Sequence, residues 1–365
     1  MEKVYLGGIS KLALTNFRCY QSLRLDNLSQ NIIVYGQNGA GKTSILEAIS
    51  MLSASHGIRG AMPSEIKCSD TVADQWGVAA LLDTHNDQVS IGVGNAPSSD
   101  QKNAKINGNL VNIAEIEKYL WLLWITPQID KIFIEQLNVK RKFFDHLVKG
   151  LEPKHHIKCL TYKKTISERM KALQTNVGDE VWLSTIEHKI AETSFSIVKA
   201  RASYCEKFNE ISLQYPANFP KIALSLEEDI EVSDLYTDTL IGKLKANREK
   251  DRITGITNAG SHRNNWNVSF RNRPLRSENY STGEQKIMLT SVILTTAKLY
   301  TACRAGMPIL LFDDTIAHLD GDNCRLFFEE ISNIGIQTWT TSTTKPSLSP
   351  DFQYIYVKSG VCIQE

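Results

Sequence analysis

The run Gly36-Gln37-Asn38-Gly39-Ala40-Gly41-Lys42-Thr43 places three glycines, one lysine and one hydroxyl within eight residues. It fits the phosphate-loop pattern G-x-x-x-x-G-K-[ST]. The spacing has a mechanical reason. Glycines let the backbone turn so that successive N–H groups aim inward at an anion. A helix starting there adds its positive N-terminus. Lys42 supplies a charge for β- and γ-phosphates, and the Thr43 hydroxyl is a ligand for Mg²⁺. The loop, with Ser44 just beyond it, is therefore the expected binding site of ATP and Mg²⁺. Far along the chain, Ile309-Leu310-Leu311-Phe312-Asp313-Asp314 is an apolar run closed by two carboxylates. This is the Walker B form that partners a phosphate loop. Asp313 is expected in the Mg²⁺ shell, and Asp314 stands where a water-activating acid belongs.

For these residues to meet, the chain must supply the right elements. Asn31 to Tyr35 is a short Ile- and Val-rich run, expected as a buried strand, and Thr43 to Ser53 has the apolar spacing of a helix. Strand, glycine loop and helix are the context a phosphate loop needs. Pro308 to Phe312 reads as another buried strand, followed by a helix near Gly321–Ser332 and a strand near Gln337–Thr340. Leu12 to Leu14 and Leu23 to Leu25 bracket a turn-like Thr15–Tyr20 segment and read as paired strands. Residues 55–113 carry turn residues and short alternating runs such as Val89 to Val93, with exposed turns at Asn95, Pro97, Ser98 and Ser99 and at Asn107-Gly108-Asn109. From about 135 to 213 glycine and proline become rare, and apolar residues recur at three- and four-residue steps, as in Phe143, Phe144, Leu147 and Leu151. This predicts two long helices joined by a turn near Thr175–Asp179, forming an antiparallel arm without the heptads of a long coiled coil. A strand over Ile222 to Leu226, a charged helix over Leu235 to Arg252, a polar and basic stretch over 253–280 and a helix from about Gly283 to Cys303 complete the reading. The expected fold class is α/β, with a mixed sheet and helices and an inserted α-helical arm. Its expected parts are 1–134, 135–215 (the arm) and 216–365.

The bulk numbers set limits. Lys and Arg total 41 against 40 Asp and Glu, so any nucleic-acid contact must come from a local patch. The 42% hydrophobic and 22% charged shares are those of an ordinary globular protein. No apolar stretch has the length of a membrane span, and Met1 to Lys11 lacks the pattern of a signal peptide. The seven cysteines are scattered, with no Cys-x-x-Cys pair, which predicts reduced thiols, no zinc site and a cytoplasmic location.

Further motifs narrow the class. About 270 residues separate the two Walker elements, too many for a simple kinase or small GTPase domain. Ser281-Thr282-Gly283-Glu284-Gln285-Lys286 resembles the signature motif of ABC-type ATPases. His318-Leu319-Asp320 is similar to the D-loop, Gln128 in Trp124-Ile125-Thr126-Pro127-Gln128 to the Q-loop glutamine, and Thr341 falls at the switch position, where such ATPases usually carry His. The chain as a whole resembles the RecF family of bacterial recombination mediators, related to SMC and Rad50 heads. Leu14 to Tyr20, the phosphate loop, Lys140-Arg141-Lys142-Phe143-Phe144-Asp145, Gly260-Ser261-His262-Arg263, Ser281 to Lys286, Asp313-Asp314 and Trp339 to Thr343 carry the resemblance. It departs in two places. RecF-like chains usually read Gly-Pro-His-Arg followed by acidic residues, where this one has Ser261 and then Asn264 and Asn265. The Ser281 motif carries Thr282 and Glu284 where many relatives have Gln.

The resemblance implies an ABC-type P-loop ATPase head with ATP held between two heads facing head to tail. Lys42, Thr43, Gln128 and Asp313 of one subunit would grip nucleotide and metal, with Gln128 both a metal ligand and part of the catalytic set beside Asp314 and Lys42. Ser281 and Gly283 of the other would meet the γ-phosphate, and Arg18 would reach the nucleotide by analogy with related heads. It further implies slow DNA-dependent ATP hydrolysis, an ATP-dependent homodimer on duplex DNA or gap junctions, and action with RecR and RecO in placing a recombinase on gapped DNA. That is a role in repair, recombination, replication restart and the SOS response. Two basic stretches are the candidates for DNA contact, and a solvated helix face is the plain alternative for each. One runs through Lys243, Lys245, Arg248, Lys250, Arg252, Arg263, Arg271, Arg273 and Arg276. The other is Lys154, His155, His156, Lys158, Lys163 and Lys164. A transporter-associated ATPase would have a short insert and a switch His, and a nuclease-associated one a further acidic metal-binding domain after the head. Both fit these residues less well.

Overall fold

The computed structural model describes residues 7–68, 75–84, 87–95, 101–175, 180–216, 219–227, 233, 235–303, 307–314, 321–346 and 352–365. The chain divides into two compact units, one of residues 1–130 with 289–365 and one of residues 131–288.

The first unit holds two six-stranded sheets. Strands β1 (Gly8–Phe17) and β2 (Tyr20–Leu25) form a hairpin across Arg18 and Cys19, which extends the expected strand pair inward to a tighter turn. β3 (Asn31–Tyr35) and helix α1 (Lys42–Ser50) flank the glycine loop. β4 (Gly77–Asp83), β5 (Gln88–Asn95), β6 (Lys102–Ile106) and β7 (Asn109–Val111) follow, and the antiparallel sheet runs β2-β1-β4-β5-β6-β7. Alternate residues of β5 are buried, as expected of a sheet with one wet face.

The second sheet adds β8 (Leu120–Ile125). After the helical unit come β11 (Met307–Phe312), α8 (Gly321–Ile334), β12 (Gln337–Ser342), β13 (Gln353–Lys358) and β14 (Val361–Gln364). Its order is β14-β13-β3-β12-β11-β8, parallel throughout except for the edge pair β13–β14. β3 and β11, inside the sheet, are buried on both faces, which explains why they read as apolar runs; β8, at the sheet edge, is also almost wholly buried. β12 is buried yet polar. Its Gln337 amide accepts from Ile9 N–H (2.9 Å) and donates to the carbonyls of Ile9 (2.8 Å) and Ser29 (2.9 Å), tying the two sheets together. One apolar core, including Ile9, Leu14, Ile45, Leu46, Leu122, Leu311 and Trp339, joins both sheets and α1.

The second unit is mostly helical: α2 (Leu137–Leu151), α3 (His155–Thr175) and α4 (Glu180–Leu213), then β9 (Ile222–Glu227), α5 (Tyr236–Ala246), α6 (Arg248–Thr254) and β10 (Asn265–Phe270), and the start of α7 (Thr282–Cys303). The helices do not stand alone as an arm. Residues 216–288 share their unit, and the fully buried Arg169 on α3 explains much of the coherence. Its guanidinium donates to Glu187 on α4 (3.0 Å), Asp251 on α6 (2.8 Å) and the Leu244 carbonyl on α5 (2.7 Å). The charged segment expected as one helix over Leu235–Arg252 is two, broken at Asn247. Beyond the break Arg248 reaches Glu187 (2.7 Å) and Asp251 reaches Arg169. β10, unforeseen in the polar 253–280 stretch, buries Trp266 and Val268 in alternation, and Trp266 stacks on Phe143 and Phe144.

Candidate nucleotide site

Parallel order places the chemistry. The glycine loop leaves β3, the two carboxylates leave β11 and Thr341 stands one residue before the end of β12, all at the carboxyl edge of adjacent parallel strands. Ligands of α/β sheets gather at that edge.

Gly36 (φ +151°), Gly39 (φ +78°) and Gly41 (φ +116°) occupy conformations that favour glycine. Gly36 and Gly41 also have no room for a side chain. A Cβ on Gly36 would lie 2.1 Å from the Val357 carbonyl oxygen, and one on Gly41 would lie 2.6 Å from Tyr20 Oη. Lys42 is only 5% exposed. Its ammonium donates to the carbonyls of Gly36 (2.8 Å) and Gln37 (2.9 Å), so it is folded back over its own loop. Ala40 is packed under the loop, where its carbonyl accepts from Gly360 N–H (3.2 Å).

Thr43 Oγ1 and Thr341 Oγ1 each donate to Asp313 Oδ1 at 2.9 Å, and Asp314 N–H donates to Thr341 Oγ1 at 2.8 Å. Thr341 thus binds both Walker B residues at once. Burial pushes the Asp313 carboxyl above the ordinary carboxylate range, against the lowering effect of the Thr341 and Thr43 hydroxyls. Asp314 sits at φ +49°, and its Oδ1 is buried with no hydrogen-bond partner among the described residues. A hydroxyl and carboxylates within bonding distance are the hard oxygen donors that Mg²⁺ takes. The glycine cradle and the orphaned Asp314 oxygen fit a triphosphate and its metal as well.

A cavity of about 580 Å³ opens over the loop, lined by Asn38, Gly39, Gly41, Lys42, Thr43, Ser44, Asp314 and Arg18. Arg18 (φ +54°), in the β1–β2 turn, is clamped by Glu47 of α1, with Nε–Oε2 2.9 Å and Nη2–Oε1 2.6 Å. Arg59, Lys67 and Cys19 also line it and escaped sequence reasoning. Arg59 donates to Glu47 at 3.1 Å, so the fully buried Glu47 orients two arginines beside the cavity. The signal was present: an acid among the buried Ile45, Leu46, Ala48 and Ile49 needs a cationic partner.

Other expected site residues are not among those lining this cavity. Gln128 is exposed just past β8, whose Ile125 pairs with Phe312. Ser281 and Gly283 belong to the second unit. There Ser281 caps α7. Its N–H (2.8 Å) and Oγ (2.9 Å) both donate to the Glu284 carboxylate, a reciprocal cap of the Ser-x-x-Glu kind. His318-Leu319-Asp320, the turn residues Pro97 to Ser99 and most of the expected turn after Thr175 lie outside the described residues. The basic stretch over 154–164 is less free than its sequence implies: His155 is buried against Asp145 (2.8 Å), and Lys158 pairs with Glu152.

The RecF/RecN/SMC N terminal domain family matches residues 8–359. The DNA replication and repair protein RecF of Mesorhizobium japonicum is 33% identical over 370 residues, covering 96% of each chain. That of Rickettsia bellii is 30% identical over 348 residues, covering 94% of this chain and 95% of its own. Among solved structures, the recombination mediator protein RecF-ATPrS of the RecFOR pathway superposes over the whole of both chains with a TM-score of 0.84 at 23% identity. An SMC head bound to the C-winged helix domain of ScpA gives 0.54 at 17% identity, over 98% of this chain and 97% of its own. The fold is that of an ABC-type ATPase head, and the chain belongs to the RecF family.

Proposed function

We propose that this chain is an ATP-gated DNA-binding head that closes into a head-to-tail dimer. The observation that carries the reading is the joined Thr43–Asp313–Thr341–Asp314 cluster beneath a glycine cradle. Lys42 would leave the Gly36 and Gln37 carbonyls for the β- and γ-phosphate oxygens. Thr43 and Asp313, with Gln128, would hold Mg²⁺, which when bound offsets phosphate charge. Asp314 would orient the attacking water, and Arg18 would lie along the phosphates. Ser281 and Gly283 from a second copy would complete the γ-phosphate contacts, with Ser281 turning from Glu284 toward the anion. The γ-phosphate is then the differential contact that biases open against closed states.

Hydrolysis serves as a slow, DNA-stimulated timer in this reading. The dimer contacts duplex DNA or a gap junction through phosphates. The relatives' names, DNA replication and repair protein RecF, and the RecFOR pathway of the solved structure support carrying over a role with RecR and RecO in placing a recombinase on gapped DNA. The test is molecular mass with and without ATP·Mg²⁺ and duplex DNA, beside Ser281→Arg. The mass is expected to double with ATP, more readily with DNA. Ser281→Arg is expected to bind nucleotide and stay monomeric. A mass indifferent to ATP refutes the gating.

A further inference from the structure

Several basic residues over 243–276 have acidic or amide partners. Arg248 pairs with Glu180 and Glu187, Arg252 with Glu249 and Arg276 with Glu227 and Glu278, and Arg263 donates to Asn258. Arg271 and Arg273 behave differently. With Lys221 they converge on a cavity of about 610 Å³ wholly within the helical unit, whose walls include Phe219, Phe270 and Ile287. Its volume falls within the ~300–1,000 Å³ typical of small-molecule sites.

The construction of this cavity points to a ligand. β9 and β10 pair up to Ile222↔Phe270, and one residue further Arg271 N–H donates to the Lys221 carbonyl at 3.0 Å. Two cations therefore face each other across the end of a ribbon, where like charges repel. Among the described residues neither side chain pairs with a carboxylate; Arg271 Nη2 rests on the Asn209 carbonyl at 3.1 Å. The one acid at the cavity, Glu284, is engaged by Arg273 and by Ser281. Arg273 is further held 4.9 Å above the Tyr280 ring. Phe270 presents its ring from the same strand end, braced edge-on by Tyr280 at 5.2 Å. Cations for phosphate beside an aromatic face for a base are the two halves of single-strand nucleic-acid recognition.

We infer that the Lys221–Arg271–Phe270 cavity is a binding site for one nucleotide unit, with the phosphate on Lys221 and Arg271 and the base against Phe270. The unit comes from a single strand, as at a gap or an end, because a base within intact duplex is stacked and unavailable. A free nucleotide offers the same chemistry, and the experiment separates the two. The site deepens the DNA-binding part of the proposed function and rests on it. It makes no use of the phosphate loop.

The test uses the full chain without ATP and fluorescence anisotropy of a labelled oligothymidine and a labelled blunt duplex. Arg271→Glu is expected to weaken oligothymidine binding about tenfold or more and to flatten its salt dependence. Phe270→Leu is expected to weaken it about fivefold. Both should leave thermal unfolding and duplex binding near the parent's, and Lys171→Glu, at an exposed α3 position away from the cavity, should leave oligothymidine binding near the parent's. Thymidine monophosphate that displaces the oligonucleotide from the parent but not from Arg271→Glu marks a free nucleotide as the unit recognised; no displacement marks the strand. Oligothymidine binding equal in parent, Arg271→Glu and Lys221→Gln overturns the cavity and leaves the DNA reading standing. A parent that binds neither oligonucleotide, duplex nor monophosphate overturns both.

Discussion

Thr341 offers a sharp perturbation, because one buried hydroxyl serves both acidic residues. Thr341→Val keeps the shape of the side chain and removes its hydrogen bonds. The bond to Asp313 Oδ1, at 2.9 Å to a carboxylate, is worth about 1.5–3 kcal/mol, and the acceptor role toward Asp314 N–H at 2.8 Å about 0.5–1.5 kcal/mol. Thr341 is fully buried, so water does not replace the lost partner. Asp313 retains its bond from Thr43, which limits the loss. The expected destabilisation is about 2–4 kcal/mol, read from urea unfolding of the ligand-free chain. ATP turnover should fall further than ATP binding, because Asp314 loses its anchor while Lys42 and the glycine loop remain. Thr341→Ser, which keeps the hydroxyl, should stay within about 1.5 kcal/mol of the parent. If Thr341→Val unfolded within about 0.5 kcal/mol of the parent, the magnitude of a neutral surface change, the coupled cluster would be wrong.

Two more predictions use single positions. Gly39→Ala and Gly41→Ala both force a side chain to positive φ, but only Gly41 has Tyr20 Oη and Cys19 Sγ within 2.9 Å of the added atom. Gly41→Ala should cost at least about 2 kcal/mol and abolish binding of a fluorescent ATP analogue, against about 1 kcal/mol for Gly39→Ala in thermal unfolding; equal costs would refute the crowding argument. His262 accepts from Tyr162 Oη at Nδ1 (2.7 Å) and donates from Nε2 to the Thr257 carbonyl (2.8 Å), a fully satisfied neutral ring. Burial holds its pKa below the usual value, assisted by Arg263 and Arg141 and opposed by the hydrogen bond to the Thr257 carbonyl and by Asp251. A base depressed by folding contributes stability that is complete above its unfolded value near 6.5 and is lost as pH falls through the folded value. Unfolding of the parent should therefore steepen below about pH 6.5 relative to His262→Gln; parallel pH profiles would show that His262 charges freely in the fold.

The sequence exposed those parts of the site that local patterns encode. The glycine loop, β3, α1 and β11 each carry their signal within a dozen residues, and the strand–loop–helix order was readable from them. Partners distant in sequence were not. Glu47 meets Arg18 and Arg59, and Gln337 meets Ile9 and Ser29, only because the sheets bring them together. A polar strand escaped for the same reason: β10 hides its burial behind Asn and Ser, whereas β12 was expected near Gln337–Thr340 despite its Thr and Gln. The basic residues over 243–276 looked continuous, yet ion pairs engage some of them while Arg271 faces Lys221. The helix expected to run on through Asn247 was broken by buried charges, which periodicity does not register.

The central claim is that two chains share each ATP site, and complementation tests it directly. Lys42→Met removes the phosphate-loop lysine, and Ser281→Arg blocks the signature. Each variant alone should hydrolyse almost no ATP in the presence of DNA. In an equal mixture each mixed dimer keeps one of two sites intact, with Lys42 from one chain and Ser281 from the other. The mixture should recover activity that neither component has, up to about half of the parental rate per site if every chain enters a mixed dimer. A mixture as inactive as its components, or Ser281→Arg alone turning over like the parent, would contradict the shared site.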